Sequence, residues 1–555
     1  MRWTLLAGLA AVAAAASPLA AQPAQPRQPA RQAQPAPGAP PRLVVVIAVD
    51  HFAADLFAQY RPFFTGGLRR LGEGAVFPNG YQSHAATETC PGHATILTGA
   101  RPARAGIIAN TWFNPSQARE DKAVYCAEDP NVPGSSSRNY TPSVNHLRVP
   151  ALGEYMRRAN AASRTVAIAG KDRAALMMAG RNPAQVWWWG GQAFVTHAGR
   201  SEPRSVAAGN AAVERSIAAG RGALEIPAHC RARSRAVPIG PNASVGAGAL
   251  ERAAGNRNAF RASPDFDGAV LAIGAALQRE LGLGQGSAPD LLILGLSATD
   301  HVGHTYGTQG LEMCLQLAGL DRELGALFAR LDESNVDYAV VLTADHGGND
   351  LPERQRDEGV PAAARVDAAL GAGTMGRALG QRLGLQGPVL YGDGPFGDIY
   401  VDRALSADQR RRVLAEAIAT YRAHPQVAAV FTREELAAAP LPGGDPSVWS
   451  LLQRARASFD AERSGDFVVL LRPAITPIAS PGSGYVATHG SPYDYDRRVP
   501  ILFWRRGLAH FEQPIPIETV DILPTLAALL RLPLTGATID GVCRDIIAGP
   551  GSICR

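Results

Sequence analysis

Three apolar runs, each followed closely by an aspartate, constrain this chain more than any other feature. Leu43–Val49 is a continuous β-branched run that ends in Asp50. Residues 291–296 run on to Asp300, and Tyr338–Thr343 runs into Asp345 and His346. Short uninterrupted runs of Val, Ile and Leu have the composition of strands buried on both faces. Helical patterns lie between them, at 268–281 and 310–331. Strands alternating with helices predict an α/β fold, a mostly parallel sheet covered by helices on both faces. In such sheets ligands bind beyond the carboxyl ends of the strands. Three aspartates delivered there mark that edge as the functional one.

The rest of the chain arranges itself around this core. Arg2 followed by an apolar stretch at 5–16, with small residues up to Ala21, predicts a signal peptide over 1–21. Residues 22–41 are Pro, Gln and Ala-rich without apolar periodicity, the composition of a linker. Residues 42–555 then form the main domain, with inserted cap regions expected near 175–265 and 352–475. Trp187, Trp188 and Trp189 in the first of these read as buried packing. The formal charge is +5, and no Lys/Arg run suits nucleic acid. No later segment reaches the ~18 apolar residues of a membrane span. The expected protein is exported, periplasmic or extracellular, monomeric and without a stable membrane anchor. The six cysteines include no CxxC pair, so they read as disulfides of an exported protein. Cys543 and Cys554 are near enough in sequence to close a C-terminal loop.

Asp300 and His304 are spaced i, i+4, which puts both side chains on one face of a helix. Asp345 and His346 precede two glycines, and His489 lies in a turn of small residues. With Asp50 these are three Asp and three His, enough for two zinc sites of three protein ligands each. Mixed Asp/His ligation suits a catalytic zinc that keeps a position open. Each element alone reads as a cap or a turn, and their order after strands gives them weight. The acidic pairs Asp393/Asp398 and Asp494/Asp496 offer oxygen donors of the kind calcium takes.

Thr89 stands before a helical run with Pro91 in its first turn. A hydroxyl at a helix N-terminus is where backbone N–H groups favour an anion. Taken alone it would be a capping threonine. Asn110 brings an amide donor. Lys171 and Arg173 follow the strand Thr165–Ala169 and, from an extended turn, would point the same way toward the dianionic end of a monoester.

With these residues assembled, the chain resembles the alkaline phosphatase superfamily, within it the phosphate-irrepressible, threonine-nucleophile enzymes of the PafA/PhoK type. The marks are TETCPGHATILTG around Thr89, KDR at 171–173, SATDHVGH at 297–304, TADHGG at 343–348 and THGSPYDYDRRVP at 488–500. The resemblance implies phosphate monoester hydrolysis with Thr89 as nucleophile and a phosphothreonine intermediate. It implies one zinc held by Asp300, His304 and His489. It implies a second held by Asp50, Asp345, His346 and the Thr89 oxygen, with Asn110, Lys171 and Arg173 on the phosphate oxygens. Lys171 takes the region where relatives place magnesium.

Three other readings compete. A nucleotide pyrophosphatase/phosphodiesterase of the same superfamily would share the ligands and the nucleophile, but the Lys171/Arg173 pair favours a dianionic monoester. A sulfatase would need Cys or Ser in a C/S-x-P-x-R setting, whereas Cys90 is followed directly by Pro91. An inactive metal- or phosphate-binding protein would have no need of the full set. His84, His93 and His301 lie near the motifs and read as packing or supporting residues.

Overall fold

The computed structural model describes residues 39–241, 243–482, 484–548 and 551–554. The expected signal peptide at 1–21 and most of the expected linker lie outside the described residues. The central element is a ten-stranded sheet. Its middle consists of five parallel strands in the spatial order Tyr338–Thr343, Leu43–Val49, Asp290–Leu296, Thr165–Ala169 and Gln185–Trp189. Antiparallel neighbours flank them: Arg498–Arg505 beside Tyr338–Thr343, and Phe194–Val195 beside Gln185–Trp189.

Every residue of Leu43–Val49 is buried. Alternate side chains of a strand point to opposite faces. Leu43, Val45, Ile47 and Val49 accordingly join one core cluster, and Val44, Val46 and Ala48 the other. The first face is covered by Pro264–Glu280 and Leu311–Glu333. The second is covered by Thr89–Thr98, Leu152–Ala159, Asp172–Ala179 and Ile522–Leu529. Each fully buried Val, Leu or Ile contributes about 1.5–3 kcal/mol, so a strand apolar on both sides fixes its place in the middle of such a sandwich.

The register sets the functional edge. Val49 pairs with Leu296, Ala48 with Thr343, and Gly295 with Ala169. Asp50, Asp345 and Lys171 therefore leave neighbouring parallel strands at one level. Asp300 and His304 follow on the helix Ala298–Tyr306.

The region near 175–265 differs from the expected insertion. Gln185–Trp189 and Phe194–Val195 are strands of the main sheet. Trp187 and Trp189 enter one core and Trp188 the other. An aromatic run with two faces to bury is accommodated by a strand covered on both sides. Within 352–475 a separate antiparallel sheet forms, in the order Leu390–Tyr391, Gly397–Val401, Phe467–Leu471, Val427–Thr432. It has its own core with the helices Ala372–Leu383 and Ala407–Ala423. The six cysteines form three disulfides: Cys90–Cys126, Cys230–Cys314 and Cys543–Cys554. Among the described residues no helix is long and apolar enough to cross a membrane.

Candidate active site

The carboxylates at the sheet edge meet a ring of imidazoles. Asp300 Oδ1 lies 3.2 Å from His304 Nε2 and 3.5 Å from His489 Nε2. Asp345 Oδ2 lies 3.2 Å from His346 Nε2, and the His346 and His489 rings stack with centroids 3.5 Å apart. All three rings are oriented in one way. His304 Nδ1 is 2.9 Å from the Ala487 carbonyl, His346 Nδ1 2.8 Å from that of Gly347, and His489 Nδ1 2.8 Å from that of Thr87. A carbonyl oxygen only accepts, so Nδ1 carries the hydrogen, and Nε2 is the nitrogen that faces the carboxylates. That is the arrangement in which histidine ligates a metal through Nε2.

Among the described residues, two groups of donors here lie close enough to share an ion: His51, Asp300, His346 and His489, and Asp50, His93 and Asp345. This differs from the partition the resemblance implies, in which His346 goes with Asp50 and Asp345. The two groups are contiguous, and His346 faces both. Its Nε2 points at Asp345 while its ring lies on His489. His93, read from sequence as packing or support, stands between carboxylates, with Nε2 3.2 Å from Asp50 Oδ1 and Nδ1 3.3 Å from Asp345 Oδ2. Burial opposes a charge on His93, but Asp345 and Asp50 outweigh it and raise its pKa to about 10. Asp50 Oδ1, Asp345 Oδ2 and His346 Nε2 are buried without a hydrogen bond. Such orphaned oxygen and nitrogen donors, facing one another at close range, fit a cation of the zinc type. The carboxylates proposed for calcium join no such group among the described residues. Asp398 Oδ1 already accepts from the Gly465 N–H at 2.6 Å, and Asp496 Oδ2 from that of Ser491 at 2.7 Å.

Thr89 is the first residue of the helix Thr89–Thr98 rather than the residue before it, and Glu88 occupies the cap position. The helix packs so closely that a Cβ at Gly92 would overlap the Asp345 backbone. Glycine there lets the Thr89 helix touch the turn that carries Asp345. Asn110 is clamped beside Thr89. Its Oδ1 accepts from Cys90 N–H at 2.7 Å and its own N–H donates to Glu88 Oε2 at 2.6 Å. The engaged Oδ1 leaves the amide nitrogen as donor. Burial raises the Glu88 carboxyl to about 7.

The two cations have different partners. Lys171 is the extended residue before the helix Asp172–Ala179, and Arg173 lies in that helix's first turn. Lys171 Nζ sits between the two carboxylate groups, 2.6 Å from Asp300 Oδ2 and 2.9 Å from Asp50 Oδ2. Burial opposes its charge, but Asp300 and Asp50 raise its pKa. A buried ammonium needs such counter-charges, which is why it turns inward. Arg173 instead borders an open cavity, with Nη1 donating to Tyr125 Oη at 3.3 Å. That cavity, of about 480 Å³, is also bordered by Thr89, Asn110, His304, His489, Tyr485 and Phe396.

Sequence reasoning missed His51, which touches both carboxylate groups, and Tyr125, which supports Arg173. The first had a signal: Asp50-His51 repeats the dipeptide of Asp345-His346. The second had none, because Tyr125 meets Arg173 only through the fold.

An α/β sheet with this edge defines a class. Residues 44–492 match the family model described as type I phosphodiesterase / nucleotide pyrophosphatase. The chain belongs to that family and is a hydrolase. It is 54% identical over 519 residues to alkaline phosphatase PhoK of Sphingomonas sp, spanning 93% of each chain. It is 48% identical over 518 residues to alkaline phosphatase PhoD of Zymomonas mobilis subsp. mobilis, covering 92% of this chain and 89% of that one. Among solved structures, wild-type alkaline phosphatase PafA shares the fold, with a TM-score of 0.79 at 24% identity over 91% of this chain and 98% of that one.

Proposed function

We propose that this chain is an exported alkaline phosphatase that hydrolyses phosphate monoesters by attack of Thr89 on phosphorus. The observation that carries the reading is the convergence of Thr89, Asn110, Arg173, His304 and His489 on one cavity. The alkaline phosphatase names of relatives at 54% and 48% identity support the monoester as substrate. Three disulfides support an oxidising compartment.

Asp300, His304 and His489 would hold one zinc, and Asp50, Asp345 and His346 the other, with the Thr89 oxygen as a further ligand of the second. Two zinc ions bound there supply Lewis-acid stabilisation of charge on the attacking and leaving oxygens. The chain's own residues do the rest. Thr89 Oγ1 bonds to phosphorus as the bond from phosphorus to the ester oxygen breaks; its proton passes to solvent, and the departing oxygen takes one up from solvent to leave as the alcohol. Water then cleaves the phosphothreonine and releases inorganic phosphate. The Asn110 amide nitrogen and the Arg173 guanidinium donate to the non-bridging oxygens, where charge must be neutralised. Lys171, held between Asp50 and Asp300, adds a second cationic side chain to the site.

Thr89→Ala is expected to lower turnover of an aryl phosphate by on the order of a thousandfold or more. Chelation should abolish wild-type activity and zinc should restore it. Unchanged turnover in Thr89→Ala would place the nucleophile elsewhere. The family description favours a second reading, a diesterase. Comparing a phenyl monoester with the matched diester decides between them, since faster diester hydrolysis defeats the first.

A further inference from the structure

His51 is a non-glycine residue in the left-handed region, with φ of 70°. That conformation costs a residue with a Cβ on the order of 1 kcal/mol and is held only where the surroundings impose it. Here both the backbone and the side chain have partners. The His51 N–H donates to Asp345 Oδ1 at 3.2 Å, and Nδ1 lies 3.2 Å from Asp300 Oδ1. One residue thus touches a carboxylate of each donor group. Its ring lies 5.8, 5.6 and 5.6 Å, centroid to centroid, from those of His304, His346 and His489. It is the hub of the three. The other nitrogen, Nε2, is fully buried without a hydrogen bond and lies against Gly303 and Gly348. A Cβ at Gly348 would overlap His51 Nε2, and one at Gly303 would come within 2.8 Å of it. Both glycines belong to the ligand-bearing stretches, DHVGH and DHGG. They leave the space that the imidazole fills.

From this geometry we infer that His51 is a positioning residue that orients Asp300 and Asp345 together, holding the two ligand groups in mutual register for metal binding. The inference rests on the reading of those aspartates as metal ligands. An ionised carboxylate only accepts, so Nδ1–H donates to Asp300 Oδ1 and restricts which oxygen and which lone pair face inward. Groups that hold a ligand in this way affect metal affinity by about 10–100-fold. The left-handed turn brings the imidazole back beneath Asp300 just after the strand has delivered Asp50.

The test compares His51→Asn with His51→Leu. Asparagine Nδ2 reproduces the place of histidine Nδ1 and tolerates a positive φ, whereas leucine fills similar space without a donor. Zinc dissociation constants would be measured on the purified full-length proteins by competition with a chromophoric chelator. His51→Leu should bind zinc about 10–100-fold more weakly, and His51→Asn within about threefold of wild type. His51→Gly, free of backbone strain and also without a donor, replaces the leucine variant if that fails to fold. Equal zinc affinity in the donor-less variant would overturn the inference, as would an asparagine variant as weak as the leucine one. Wild-type protein that binds no zinc would instead sink the metal reading itself, so the two failures are distinguishable.

Discussion

The Tyr125 hydroxyl donates to Asp172 Oδ1 at 2.8 Å and accepts from Arg173 Nη1 at 3.3 Å. Asp172 Oδ2 accepts in turn from Tyr140 Oη at 2.8 Å. Arginine is valuable at a phosphate only if its planar fork is held in place. Tyr125→Phe removes the hydroxyl that accepts from the Arg173 guanidinium and donates to Asp172, and keeps the ring. It is expected to weaken competitive inhibition by inorganic phosphate about 3–10-fold, consistent with a hydrogen bond worth about 1 kcal/mol, with kcat changed less than KM. An unchanged inhibition constant would mean that Arg173 is positioned without it. At this scale, Asp300, His304 and His489 were legible as candidate ligands because residue type and spacing announce them, and the fold brings the three together. The surroundings of Lys171 were not, since whether an ammonium faces solvent or two buried carboxylates is decided by distant segments.

The helix Thr89–Thr98 carries the proposed nucleophile and is tied to the Ala123–Tyr125 strand by the disulfide Cys90–Cys126. The Cys126 N–H donates to the Asn110 carbonyl at 2.9 Å, so the disulfide and this hydrogen bond together tie the segments of Thr89, Asn110 and Tyr125. Replacing both cysteines by serine is expected to cost about 2–4 kcal/mol of stability and to raise the inhibition constant for phosphate. The matched pair Cys230→Ser/Cys314→Ser should lower stability while leaving that constant unchanged. Equal inhibition constants in both variants would show that the first bridge only stabilises. Pairing was open in the sequence because connectivity is a tertiary property. Helix and strand assignments fared better. The D-x-x-x-H pair lies on a helix as its spacing predicts, and Thr165–Ala169 and Tyr338–Thr343 are strands.

At the scale of the molecule, the cap sheet contains a carboxyl that should make stability depend on pH. Burial raises Asp398 from 3.8 to about 6, with the Gly465 N–H opposing the shift. The folded pKa lies above the unfolded one, so the fold favours the protonated form. That contribution is present in full below pH 4 and is lost as pH rises through 6. A shift of this size corresponds to about 3 kcal/mol. Asp398→Asn keeps an acceptor for Gly465 and removes the charge. The variant should unfold at higher urea than wild type at pH 8, with the difference vanishing near pH 3.5. Identical midpoints at pH 8 would show that Asp398 is already relieved of its charge.

By itself the sequence determined the layered α/β class and singled out six Asp and His side chains that the fold brings to one edge of the sheet. Buried-strand composition and ligand chemistry are local properties, readable wherever they occur along a chain. Only the tertiary structure decided that Trp187, Trp188 and Trp189 extend the main sheet, that Lys171 lies between Asp50 and Asp300, and that His51 touches both carboxylate groups. Those facts depend on which distant segments bury one another. Strand register and the packing of glycines against an imidazole fix them, and neither is encoded in any single stretch of residues.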